Sequence, residues 1–78
     1  MEKTMLRTLY NEGVLSSACV IPSPCNGDSY QLEFTRRNGL LVVMTVQNKK
    51  RTKIFKFLET AIKNARDVGF KDITVKLN

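Results

Sequence analysis

Seven cations stand in one stretch of this chain that holds no acid: Arg36, Arg37, Lys49, Lys50, Arg51, Lys53 and Lys56. Guanidinium and ammonium groups at that density serve to neutralise phosphate or another polyanion. Their charge slightly exceeds the net +6 of the whole chain, whose pI is 9.7. Residue types for other chemistry are missing. There is no histidine, and so the commonest general base and metal ligand is absent. Two thiols, Cys19 and Cys25, cannot assemble a Cys-rich zinc site. Gly13, Gly27, Gly39 and Gly69 punctuate turns and helix ends instead of forming a phosphate-cradling loop. The seven acids are scattered singly. This pattern points away from an enzyme, and it calls for no metal, no cofactor and no small-molecule substrate.

The elements that must carry those cations fit one domain, residues 1–78. A chain of this length buries only about 60% of its unfolded surface, so its core is marginal without help. Met5, Leu6, Leu9 and Tyr10 make one helical stripe over Thr4–Glu12, with Thr4 as N-cap and Gly13 as stop. Val14–Ile21 reads as a strand ending at Pro22-Ser23-Pro24. Tyr30–Arg36 alternates apolar and polar, the pattern of a half-buried strand. Asn38-Gly39 favours a two-residue hairpin turn returning through Leu40–Val46. With that turn Phe34 faces Val43, and Leu41 and Val43 share the face of Tyr30, Leu32 and Phe34; a three-residue loop shifts the register. With the two-residue turn the opposite face receives Leu40, Val42, Met44 and Val46. With either loop strand 40–46 is apolar on both faces, and its second row needs cover from the first helix or from a second copy of the chain.

Thr52–Lys56 reads as a short strand or extended approach. Phe57–Val68 is the clearest helix, with Leu58, Ala61, Ile62 and Ala65 on one side and Gly69-Phe70 at its end. Ile73, Val75 and Leu77 alternate in a last strand. The expectation is an α+β fold, a small, mostly antiparallel sheet with a packed helix in the order α-β-β-β-(β)-α-β. Charges in Met1–Arg7 break the apolar run a signal peptide requires. The longest apolar run, Leu40–Met44, falls far short of the 18–20 or so residues of a membrane span. A cytoplasmic protein away from membranes is expected, with free thiols; a disulfide closing the Pro22-Ser23-Pro24 loop is the alternative.

In the hairpin, Arg36 and Arg37 fall at one end and Lys49, Lys50 and Arg51 at the other, about 23 Å apart along the strands. Such a surface can track several phosphates of one nucleic acid. The plain alternative is that turn cations are merely solvated and discourage edge-to-edge pairing. Tyr30, Phe34, Phe55, Phe57 and Phe70 all fit core or cap positions. Only Phe55 and Phe57, flanked by Lys53 and Lys56, are candidates for stacking on unpaired bases.

The run Ile54-Phe55-Lys56-Phe57-Leu58-Glu59-Thr60-Ala61, continued by Ala65, Gly69-Phe70 and Ile73-Thr74-Val75, resembles short accessory proteins of conjugative plasmids and integrative elements. Leu9-Tyr10, Gly13, Leu15 and Pro22-Ser23-Pro24 match at the front. The resemblance implies a partition, replication or transfer role and carries over no functional residue. The succession of sheet, Phe55 and an alanine-containing helix is also similar to the three-stranded DNA-reading domains of integrase arms and plant ethylene-response factors. Those read the major groove with the sheet face, and this chain lacks their Arg- and Trp-rich strands. Together these observations lead to a non-catalytic, homodimeric, nucleic-acid-binding protein with DNA as partner. The alternative is a protein-interaction or dimerisation module that touches no nucleic acid.

Overall fold

Asn38-Gly39 does turn the chain, but with one residue more than the shortest hairpin. The computed structural model describes residues 1–24, 28–46 and 51–76. In chain order the elements are α1 (Lys3–Asn11), β1 (Leu15–Pro22), β2 (Tyr30–Arg36), β3 (Leu41–Val43), α2 (Leu58–Val68) and β4 (Thr74–Val75). The strands form one sheet in the order β3-β2-β1-β4. β1 and β2 are antiparallel, as are β2 and β3, whereas β4 runs parallel to β1 through Cys19–Thr74 and Val20–Val75. The α+β class and the mostly antiparallel sheet stand as the periodicity implies.

The hairpin register departs from the two-residue expectation. Phe34 pairs with Val42, Glu33 with Val43 and Thr35 with Leu41. Arg36 N–H donates to Leu40 O and Gly39 N–H to Arg36 O, each at 2.8 Å, closing a three-residue loop. Gly39 has φ +90°, the left-handed position such a loop needs at its last residue. Asn38 Oδ1 accepts from Leu40 N–H at 3.0 Å and fills the tip. A one-residue slip exchanges the two faces of a strand. Val42 and fully buried Met44 therefore join Phe34 on the core side, while Leu41 and Val43 take the opposite face.

β3 is also shorter than the expected 40–46 strand. Beyond Val43 one further bond in this register, Met44 N–H to Leu32 O at 3.0 Å, joins the two strands, followed by the isolated bridges Thr45 with Thr52 and Tyr30 with Phe55. Tyr30 and Phe55 exchange two backbone bonds of 2.8 Å. Phe55 thereby extends the β2 edge where β3 has ended, while Thr52 and Lys53 fold back on Thr45 and Met44.

In β1 a bulge separates Leu15, opposite Arg36, from Ser17, opposite Thr35. The extra residue, Ser16, donates its Oγ to Thr35 O at 3.0 Å. This changes the phase of the strand, so that Leu15 and Ala18, three apart, both reach the core with Val20.

α1 starts one residue before Thr4, with Glu2 as N-cap and no side-chain cap. The reason is tertiary: Met1 O accepts Thr45 N–H at 2.8 Å, which fixes where the chain leaves the sheet. Thr8 instead bonds back to Thr4 O. At its end, Val14 N–H reaches Leu9 O and Gly13 N–H reaches Tyr10 O, a Schellman pair. α2 opens at Leu58, one residue inside the expected Phe57–Val68. It closes with Phe70 N–H on Ala65 O at 3.3 Å, as Gly69-Phe70 implies.

The helices contact each other; α2 lies against both β1 and β2, and α1 against β1. Leu6 of α1, Ala61, Ala65 and Val68 of α2, and Ala18, Val20, Leu32 and Phe34 of the sheet are all buried. The small side chains of Ala61 and Ala65 let α2 approach the sheet closely while Phe34 fills the centre. Phe70 bridges the layers, 5.8 Å from the Phe34 ring and edge-on to Tyr10 at 4.7 Å. β4 is the two-residue remnant of the expected terminal strand; Leu77 lies outside the described residues.

Candidate nucleic-acid interface

The seven expected cations do not form one patch. β2 divides them. At its far end Arg36 is half-buried, opposite Leu15, with its Nε buried and unpaired among the described residues. Arg37 is exposed but tethered, its Nε donating to Gly13 O and its backbone N–H to Val14 O. Arg37, expected as a polyanion contact with plain solvation as the alternative, also clamps the α1–β1 turn. Four of the five guanidinium N–H groups remain available to another acceptor.

Arg51, Lys53 and Lys56 lie beyond the opposite end of β2, on the segment held by the Thr45–Thr52 and Tyr30–Phe55 bridges. Seven residues of strand separate the two groups, about 23 Å. Arg51 and Lys56 are exposed. Lys53 is half-buried, its N–H on Met44 O at 2.9 Å and its ammonium 5.6 Å from the Phe55 ring centre, a cation–π distance. Lys49 and Lys50 lie outside the described residues.

Of the two stacking candidates, Phe55 is buried in the core, whereas Phe57 is 69% exposed. Phe57 is the N-cap of α2 with extended backbone, φ −117° and ψ 136°. Continued as helix, position 57 would lie on the Ala61–Ala65 stripe; the extended conformation takes its ring out of that phase and into water. Lys56 adjoins it.

The second sheet face carries no helix among the described residues. Across it run Thr74, Cys19, Glu33 and Val43, then Ser17, Thr35 and Leu41. Leu41 is 57% exposed, and Cys19 is a free, half-buried thiol. Burial pushes that thiol's pKa up; Lys76 pulls it down and Glu33 adds to the rise. A face of mixed polar and apolar side chains with a central carboxylate, Glu33, is poorly matched to a polyanion, so this surface does not favour sheet-face readout.

One further feature escaped the sequence pattern. β1 pairs with β4 only at Cys19 and Val20, and before that point the two chains diverge around an open groove of about 810 Å³. Arg37, Ser16, Ser17, Lys71 and Asp72 line it. Nothing local relates Arg37 to Lys71; only the parallel pairing of the last strand brings them to one groove.

Among the described residues, no group of three or more His, Cys, Asp or Glu is placed to hold a metal ion. No described helix is long and apolar enough to cross a membrane. Fold and surface thus define a small mixed-sheet α+β domain with cations at both ends of its second strand. Comparison of the chain with protein-family models, curated proteins and solved structures finds no match in any of the three.

Proposed function

We propose that this chain is a small, non-catalytic, cytoplasmic nucleic-acid-binding protein that holds its polyanion by phosphate contacts. The observation carrying this reading is the set of cations Arg51, Lys53 and Lys56, exposed or half-exposed at one end of β2 on a stretch of chain without an acid, with Arg37 at the other end. DNA is the proposed partner. The resemblance of Ile54–Ala61 and its flanks to plasmid and integrative-element accessory proteins supports a partition, replication or transfer role. Binding measured across a salt series tests it. Arg51→Gln and Lys56→Gln should each lower affinity and reduce the slope of log K against log salt by about 0.9 on duplex, or about 0.7 on single strands. Unchanged slopes in both variants would remove this surface from the interface.

A second observation favours self-association. Leu41, Val43, Cys19 and Ile21 form the apolar part of the uncovered sheet face, and Glu33 and Lys76 supply opposite charges beside them. Such a face is suited to a two-fold partner, in which each patch meets its own copy. The proposed protein is therefore a homodimer with the Leu41 face inside. The row to be covered is not Leu40, Val42, Met44 and Val46, since Val42 and Met44 already belong to the core side. A dimerisation module without nucleic-acid binding is the reading left if the salt series shows no binding.

A further inference from the structure

We infer that Phe57 is a base-stacking platform and that the polyanion held along Arg51–Lys56 is single-stranded nucleic acid. The inference rests on the nucleic-acid reading above and specifies the strand state that it leaves open. A single wet aliphatic side chain needs no explanation, because folded surfaces are largely apolar. A wet phenyl ring adjoining a run of cations presents a different chemistry. Duplex binders need only charge and groove contacts, since paired bases hide their faces. Unpaired bases offer both a phosphate chain and flat apolar rings, and proteins meet them with cations beside exposed aromatics.

The local geometry meets that requirement. Lys56 precedes the ring directly, and Arg51 and Lys53 lie upstream on the same extended, bridge-held segment. Phe55, two residues earlier, is buried and anchors the segment to Tyr30 through two backbone bonds, so the platform stands on a braced backbone. Leu58 then packs against the core and starts α2. The acid nearest in sequence, Glu59, is exposed on the first turn of α2, with Lys63 four residues further along the same helical face. In sequence no acid stands between Phe34 and Leu58, and in space Glu2 shares a groove with Lys53.

The test uses fluorescein-labelled oligodeoxythymidylate and a mixed-sequence duplex, each of about 20 nucleotides per strand, with anisotropy read between about 50 and 200 mM salt. The variants are Phe57→Leu and Phe57→Tyr, with circular dichroism as the check on folding. Because the ring is exposed, both should fold as the native chain does. Phe57→Leu should weaken single-strand binding roughly 5- to 150-fold, the range one base–aromatic stack is worth. Duplex affinity and the salt slope should stay unchanged, and Phe57→Tyr should retain native affinity. Native single-strand affinity in Phe57→Leu would overturn the inference and leave the phosphate-binding proposal standing. Failure of the native protein to bind either oligonucleotide at about 50 mM salt would overturn both. A Phe57→Leu variant that keeps its oligonucleotide affinity but loses mass in sedimentation would instead assign the ring to a protein contact.

Discussion

Gly69 shows how one missing side chain joins two layers of this domain. Its φ is +137°, and a Cβ built there would stand 2.5 Å from two carbons of the Tyr10 ring. Tyr10 in turn packs edge-on against Phe70, whose ring leans on Phe34 at the centre of the core. Gly13 also has positive φ, but a Cβ there meets nothing within 4 Å. The pair separates backbone strain from collision. Gly13→Ala should cost about 1 kcal/mol, the strain alone. Gly69→Ala should cost more, about 2–4 kcal/mol, because Tyr10 must move as well. Urea denaturation of both variants decides the matter, and equal midpoints would mean that Tyr10 gives way freely. The stop signal at Gly69 was legible from sequence, whereas the Tyr10 contact was not, because it joins residues from the two ends of the chain.

Between elements, an ion pair fastens α1 to α2. Lys3 Nζ stands 2.7 Å from Asp67 Oδ2, and both side chains are partly exposed. The hydrogen bond from Lys3 is the main cause of the Asp67 carboxyl lying below its ordinary 3.8, with Lys63 and Arg7 adding smaller attractions. A depressed folded-state pKa makes the contribution to stability fully present above the unfolded value and lost as pH falls through the folded one. Solvent screening keeps that contribution small. Lys3→Gln should raise the Asp67 titration midpoint toward its ordinary value, as followed by carboxyl carbon NMR. A midpoint that stays depressed would show that Lys63 and Arg7 suffice. The helices themselves could be read from periodicity, and their pairing through positions 3 and 67 could not.

For the whole molecule, the sheet has one face under two helices and one face without a cover among the described residues. Burying a large aliphatic side chain is worth roughly 1.5–3 kcal/mol, a large share of the 5–10 or so that holds a domain of this size together. Association of two Leu41 faces would therefore contribute usefully to stability and would present two basic surfaces together, raising affinity for a long polyanion. Sedimentation equilibrium at micromolar concentration should give twice the chain mass for the native protein. Leu41→Asp should yield a folded monomer, whereas Val42→Asp, on the helix-covered side, should destabilise the fold. A single-chain mass across the concentration range would remove the dimer.

Local pattern by itself determined the helices, the strands, their order and the mostly antiparallel sheet, because periodicity, capping and turn residues act over a few neighbours. It also located the cationic stretch and the two-sided character of strand 40–46. Tertiary structure decided which of the two rows faced inward, since one extra residue in the Arg37–Gly39 loop exchanges the faces of the returning strand. It decided that Ser16 would bulge so that Leu15 could reach the core, and that β4 would pair parallel to β1. It placed the Phe57 ring in water while Phe55 went inside, because the backbone bends out of strand phase before it enters the helix. These outcomes depend on contacts between residues distant in sequence, and no short window of residues contains both partners.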